Sequence, residues 1–368
     1  MALFDDGPVS PVRPRSTGRR VGWIVLGVAL AIALILALMP APYVIEKPGP
    51  VFNTLGSTKD AEGVETPLIS IPDQTVYPTK GSLDMLTVTM LGNRESRPSW
   101  LNILSAWMSP SEAVIPLDDA FPPNVTTEQQ QQQSQIAMVD SQQDAIAAAL
   151  TNLGYTFPAF VTVASLPTDS PADGILKPDD QIVSVNGTAI ASVDELRAAL
   201  AASGAGKPAS IGIIRDGASM TVDVTPVDID GTVVAGINVS TTYEFPFEVK
   251  IQLDRVGGPS AGMMFALGII DKLTPGPLQG GETVAGTGTI DESGTVGPIG
   301  GIRQKMYGAV DAGADWFLAP ADNCSEVTGH IPDGLEVFAV STLDESLAVL
   351  DAINTGADTS SLPTCPVG

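Results

Sequence analysis

Apolar positions change their spacing several times along the chain, and each change marks an element. Val21 to Met39 (VGWIVLGVALAIALILALM) is uncharged, apolar on every side, and stops at Pro40. A helix of that length, at ~1.5 Å per residue, spans about 28 Å, near the hydrocarbon thickness of a bilayer. Beyond it the pattern breaks into short pieces. YVIEKPGPVFNTLG reads as a short extended lead-in with a Pro-Gly turn. TPLISI and the alternating LDMLTVTM read as strands, the second following the turn residues Lys80 and Gly81. From Asn93 to Pro123, Trp100, Trp107 and several prolines fit a short helix with loops.

A helical period returns after a glutamine run, Gln129 to Gln133. Ile136, Val139, Ala145, Ile146 and Leu150 keep roughly to one face, and Gly154 is a stop signal. One helix over about 127–153 follows, with the glutamines on its solvated side. A compact set of elements comes next. FVTVASL is a strand, and SPADGILKPDDQIVSVNG places turn residues around a second. SVDELRAALAAS is a helix capped by Ser192 with Glu195 three positions on, and ASIGIIRDGASMTVDVTP closes as a hairpin turning at Asp216-Gly217.

This order resembles a PDZ domain. SPADGILKPDDQIVSVNG is similar to that family's Ser-Pro-Ala-x-x-x-Gly-Leu-x-x-Gly-Asp-x-Ile-x-x-Val-Asn-Gly pattern, with Asp179 in place of the glycine before the aspartate. The family's carboxylate-binding loop is expected just before Phe160, where the sequence reads TFPAF, unlike the usual Gly-Leu-Gly-Phe. The resemblance implies either capture of a partner's C-terminal tail or a spacer that binds none.

IDGTVVAGINV and FPFEVKIQL are strand-like and lead into RVGGPSAGMMFALGIID, a glycine-rich turn opening onto an apolar helix. Then GGETVAGTGTIDESGTVGPIGGIRQKMYGAVDAGADWFLAP reads as strand, turn at Asp291–Gly294, strand, tight turn at Gly300-Gly301, helix over 302–312 and a short strand. LEVFAVSTLDESLAVLDAI adds a last strand and helix.

Charge and composition narrow the partners. A net charge of −24 and pI near 4.1 would repel a phosphate backbone, so no nucleic acid is expected. Arg13, Arg15, Arg19 and Arg20 precede the apolar run and no basic cluster follows it. The positive-inside rule therefore puts residues 1–20 in the cytoplasm and the bulk of the chain outside. The run exceeds the usual apolar region of a cleaved signal peptide, so an uncleaved anchor is expected. Cys324 and Cys365 either form one disulfide tying down the C-terminal tail or remain two buried thiols. With one histidine, His330, and no Cys-x-x-Cys pair, no metal or other cofactor is expected.

The same histidine count limits the nucleophile systems. A Ser-His-Asp or Cys-His arrangement would have to use His330, in a loop-like TGHIPDG context. No Gly-x-x-x-x-Gly-Lys-Ser/Thr loop occurs. Lysine remains as a base, and beyond residue 250 only Lys272 and Lys305 are present. Lys272 ends the apolar helix, a solvated position. Lys305 shares a helix face with Ile302, Met306 and Ala309, where lost hydration disfavours the charged amine. A neutral amine beside Ser260 can take the hydroxyl proton, and the helix start after Ser260 offers N–H donors to a developing oxyanion.

GGPSAGMMFAL followed by GPIGGIRQK resembles the proteolytic domain of the Lon family, where Gly-Pro-Ser-Ala-Gly holds the catalytic serine and Pro-Ile-Gly-Gly-(Ile/Leu)-x-x-Lys the lysine. TGTIDESGTVGPIGG resembles the segment before that lysine. The whole order resembles membrane-anchored, Lon-like peptidases with a PDZ domain and no ATPase module. Carried over, Ser260 is the nucleophile and Lys305 the general base. One departure is Gly257, where ATP-dependent Lon enzymes carry an aspartate.

The expected fold is an α/β (α+β) Lon-type proteolytic domain with an inserted PDZ-like β-rich domain and one N-terminal transmembrane helix. The expected parts are a basic tail (1–20), the transmembrane helix (21–39), the first part of the protease region (41–124), a helix plus PDZ-like domain (125–227), the Lon-type domain (228–354) and a C-terminal tail (355–368). The resemblance implies an ATP-independent, extracytoplasmic serine endopeptidase acting on unfolded or membrane-proximal proteins, and a homo-oligomer, hexameric in the family. The alternative is an inert, membrane-tethered PDZ scaffold that binds partner tails.

Overall fold

The computed structural model describes residues 17–59, 63–123, 125–167, 169–229, 231–253 and 256–366, without the side chains of residues 17–20, 36, 38 and 194. The side chains of the basic tail expected over 1–20 therefore lie outside the described residues. The chain divides into two units, one of residues 1–47 and 90–123, the other of residues 48–89 and 124–368.

In the first unit a helix runs from Thr17 to Leu38, and Trp23, Ile24, Leu30 and Leu34 stand exposed along it. Among the described residues no helix is long and apolar enough to cross a membrane. Ser99 caps a second helix, Trp100–Trp107, by accepting from the Asn102 N–H. Ala41, Ile45, Ile103 and Ala106 form the unit's small core, with Trp100 edge-on to Tyr43. The Tyr43–Glu46 stretch pairs antiparallel with Ala113–Pro116.

YVIEKPGPVFN forms one continuous strand, Tyr43–Asn53, where the sequence suggested a turn. The glycine serves close approach instead. A Cβ on Gly49 would overlap the Thr87 hydroxyl, which donates to the Pro50 carbonyl at 2.7 Å. The flanking prolines keep a φ compatible with extended backbone.

The second unit is built on a sheet whose strands Ser82–Leu91, Thr283–Gly286, Trp316–Pro320 and Glu336–Val340 pair in parallel in that order. Side-chain alternation sends residues to opposite faces. Val284, Leu318, Phe338 and Val340 join one core with the helices Gly262–Leu273 and Leu343–Thr355. Ala285, Phe317, Val337 and Ala339 join another with the helix Ile302–Asp311. Helices on both faces explain why WFLAP and VFAV are continuously apolar.

The long helix, observed over Thr127–Asn152, carries the capping box of Thr126 and Gln129. Its buried residues Met138, Ala145, Ile146 and Leu150 belong to the core of the Gly262–Leu273 helix. The sequence reading groups this helix with the PDZ-like domain, and its apolar face packs in the core shared with the Gly262–Leu273 helix.

The PDZ-like sheet has its own core, with Val161, Leu176, Ile182, Leu196 and Ile211. Its strands run in the order Ala218–Val224, Ala209–Arg215, Gln181–Val185, Ala159–Ser165, Asn238–Tyr243. The last strand lies beyond residue 227, where the sequence reading ended the domain. It pairs antiparallel with Ala159–Ser165, from Tyr243 opposite Ala159 to Asn238 opposite Ser165. Asp179, which replaces the family glycine, adopts a left-handed φ of 70°. Asp180 beside it is buried and receives both Arg215 Nε and Nη2 at 2.6 Å.

Cys324 and Cys365 form a disulfide. The tail it holds also lies along the sheet, where Ala339 N–H donates to the Pro363 carbonyl at 2.9 Å.

Candidate active site

The apolar helix begins at Gly262, with Ala261 as its cap residue and no side-chain cap bond. Ser260 precedes it and is therefore not the helix cap. Its placement rests on the long helix instead. The Ser134 carbonyl accepts from the Gly258 N–H at 2.8 Å, and Ser141 Oγ donates to the Pro259 carbonyl at 2.9 Å. The approach is close enough that a Cβ on Gly257 would overlap Ser134, and one on Gly262 would press Ser141 and Ile290. Small residues around Ser260 thus let the long helix hold its backbone from behind.

Lys305 comes from the opposite face of the sheet, on the helix that starts after Gly301. Its side chain is 1% exposed. It reaches the carboxyl end of strand Thr283–Gly286, where the two faces meet. There its Nζ lies 2.8 Å from Ser260 Oγ and donates to Thr287 Oγ1 at 2.9 Å. Thr287 Oγ1 donates in turn to the Ser260 carbonyl at 2.9 Å, and Gly288 N–H donates to the same carbonyl at 2.9 Å. Stripping an ammonium of water favours the neutral amine, the form able to accept a proton. Ser260 is half-buried, so the hydroxyl is reachable while the amine behind it is not.

A cleft of about 730 Å³ opens over this pair, bordered by Phe52, Met85, Thr87, Met138, Val256 and Gly300. His330 does not line it. That residue is exposed, with Nδ1 3.0 Å from the Thr328 carbonyl. Lys272 is half-buried rather than solvated. It donates to the Leu55 carbonyl at 3.3 Å, and burial lowers its pKa against the pull of Asp271.

Residues 255–352 match the family profile of the Lon protease (S16) C-terminal proteolytic domain. This part of the chain is a Lon-type proteolytic domain. Residues 135–225 match the profile of a PDZ domain. Lon protease 1 of Sorangium cellulosum is 42% identical over 94 residues, covering 25% of this chain and 11% of that protein. Lon protease 2 of Bacillus subtilis is 38% identical over 108 residues, covering 29% and 18%. The chain thus spans less than a fifth of the length of these curated relatives. Among solved structures, the PDZ domain of an SdrC-like protein from Listeria monocytogenes is 26% identical, covers 22% of this chain and 85% of that one, and superposes with a TM-score of 0.21.

Sequence reasoning brought out Ser260 and Lys305 of the Lon-type domain but not Thr287, Ser134 or Ser141. Thr287 sits in the glycine-rich TGTIDESG segment already likened to the Lon family, and a lone hydroxyl between Gly286 and Gly288 was its signal. The serines sit on a helix whose outer face looked merely solvated. In the PDZ domain, the loop before Phe160 leads into an interior strand, paired on both sides. The edge strand is Asn238–Tyr243. Its preceding loop, Val234-Ala235-Gly236-Ile237, faces the helix Val193–Ser203 across a groove of about 340 Å³. Gly236 makes that turn with φ of 68°, and a Cβ there would overlap Pro171. VVAGINV, not TFPAF, holds the groove's loop.

Proposed function

We propose that the chain is a membrane-anchored, extracytoplasmic serine endopeptidase that works without ATP hydrolysis. Ser260 is its nucleophile and Lys305 its general base. The observation that carries this reading is the 2.8 Å approach of a fully buried lysine amine to a half-exposed serine hydroxyl. As Ser260 Oγ attacks the substrate carbonyl carbon, its proton passes to Lys305 Nζ. The amine then gives that proton to the leaving nitrogen, and the acyl-serine is released by water activated by the same lysine. The Gly262–Leu273 helix begins just after Ser260, and the positive end of its dipole favours negative charge on the attacked oxygen. Thr287 holds the amine in position.

The anchor is supported by the uncharged run 21–39 and by the exposed apolar side chains of the first helix. The extracytoplasmic location is supported by the Cys324–Cys365 disulfide, a bond that persists in oxidising compartments. ATP independence is supported by the lack of a phosphate-binding Gly-x-x-x-x-Gly-Lys-Ser/Thr loop in this sequence. Substrates are unfolded or membrane-proximal proteins, the PDZ groove captures protein tails, and the chain assembles with copies of itself.

The full chain in detergent, incubated with casein beside Ser260→Ala and Lys305→Ala, tests the mechanism. Cleavage by the parent should fall by about 1,000-fold or more in both variants while their unfolding curves stay unchanged. Activity surviving in either folded variant would overturn the assignment of that residue.

A further inference from the structure

The PDZ groove does not end at the PDZ domain. Val193, Leu196, Arg197 and Leu200, on one face of the helix Val193–Ser203, look across it to Val234, Ile237 and Val239. Asn238–Tyr243 is the last strand of its sheet, and among the described residues no strand pairs with its outer edge. From Val193, Arg197 and Val239 the groove continues past Ser240 and Thr241 into a second cleft of about 330 Å³. The far wall of that cleft belongs to the protease core: Asp140 and Asp144 on the long helix, and Asp291 and Glu292 in the turn ahead of the Lys305 helix. Four acidic side chains face the guanidinium of Arg197. Tyr243, at the end of the edge strand, donates to Asp144 at 3.2 Å and ties the two walls together.

An extended tail adding to this edge has its direction fixed. Its terminal carboxylate lies at the loop before Asn238, so an antiparallel tail runs back toward Tyr243, a strand rise of ~3.3 Å per residue. Its last side chain meets the apolar part of the groove, and its preceding residues pass the carboxylates. We infer that the groove selects protein C-terminal tails with an apolar last residue and lysine or arginine a few positions upstream, read by acidic residues of the protease domain. This rests on the tail-binding reading of the PDZ domain. Charge complementarity argues for it, since an acidic tail entering the same cleft would face like charges.

The test is fluorescence anisotropy of the full chain in detergent with labelled ten-residue peptides ending in valine. One carries two lysines upstream, one two glutamates, and one the lysines with an amidated C-terminus. The lysine peptide should bind at least about tenfold more tightly than the glutamate peptide at low salt, with the gap narrowing as salt rises. The exposed Glu292→Lys variant, and Asp140→Asn with Glu292→Gln, should reduce or invert that preference. Equal binding of the lysine and glutamate peptides, or a preference untouched in these variants, overturns the inference. Undiminished binding of the amidated peptide overturns tail capture itself, whatever its charge preference. No binding of any peptide overturns both.

Discussion

Thr287 Oγ1 accepts from Lys305 Nζ at 2.9 Å and donates to the Ser260 carbonyl at 2.9 Å, so a single hydroxyl touches both partners of the proposed dyad. Thr287→Val keeps the shape and removes both bonds. We expect kcat for casein or a peptide substrate to fall by about 10- to 100-fold with KM nearly unchanged, because a base misplaced by ~1 Å loses the transition state and not the substrate. Thr287→Ser should restore most of the rate. If valine is as active as threonine, or serine as poor as valine, the hydroxyl does not position the amine.

The buried pair in the PDZ domain lends itself to a stability measurement. Burial works against the ionised Asp180 carboxylate, but hydrogen bonds from Arg215 and from the Lys177 N–H outweigh it and hold its pKa below the usual range. The sign follows directly. With the folded value below the unfolded one, the contribution is present above the unfolded ~3.9 and is lost as pH falls through the folded value. Arg215→Ala, which strands the carboxylate, should lower Tm clearly at pH 7 and much less at pH 3. A double change, Asp180→Asn with Arg215→Leu, should recover part of the loss, because replacing both partners leaves no buried charge. An unchanged Tm in Arg215→Ala would show that the pair contributes little.

What was legible in the sequence was what local pattern controls. The capped helix at Ser192, the hairpin at Asp216-Gly217 and the Gly300-Gly301 turn all fall where their residues demand, both hairpin positions taking left-handed φ. Ser260 and Lys305, which the fold brings to 2.8 Å, each stand out locally, one as a hydroxyl among small residues and the other as a lysine on an apolar helix face. Features set by distant contacts were not. Gly49 looked like a turn because its partner, Thr87, is remote in sequence. The strand Asn238–Tyr243 looked like part of the protease because pairing, not pattern, assigns it to the PDZ sheet. Ser141 is invisible until the Pro259 carbonyl, 118 residues on, comes within reach.

The Cys324–Cys365 bond closes a loop with a sequence separation of 41 and holds the tail against strand Glu336–Val340. Chain-entropy reasoning for such a loop gives about 4 kcal/mol as an upper figure, and native disulfides typically deliver ~2–4. Denaturant unfolding of Cys324→Ser/Cys365→Ser should show a loss in this range, and a reductant should reproduce it on the parent. An unchanged midpoint would mean the tail is held by its other contacts alone.

Asp144 gives the molecule a pH dependence opposite to that of Asp180. Burial first, then the charges of Glu292, Asp140 and Asp291, raise its pKa to about 7, against a hydrogen bond from Tyr243 that lowers it. The folded value stands above the unfolded ~3.9, so between those values the folded state binds more protons. Stability from this group is therefore full below about pH 4 and declines as pH rises to about 7, beyond which it is flat. Asp144→Asn keeps an acceptor for the Tyr243 hydroxyl and removes the titration. The difference in Tm between variant and parent, followed from pH 4 to 8, should grow in the variant's favour with rising pH and level off above 7. Taking the difference cancels the repulsion that a net charge of −24 imposes on both proteins. A difference that stays constant across that window would show that Asp144 titrates alike in the folded and unfolded chains.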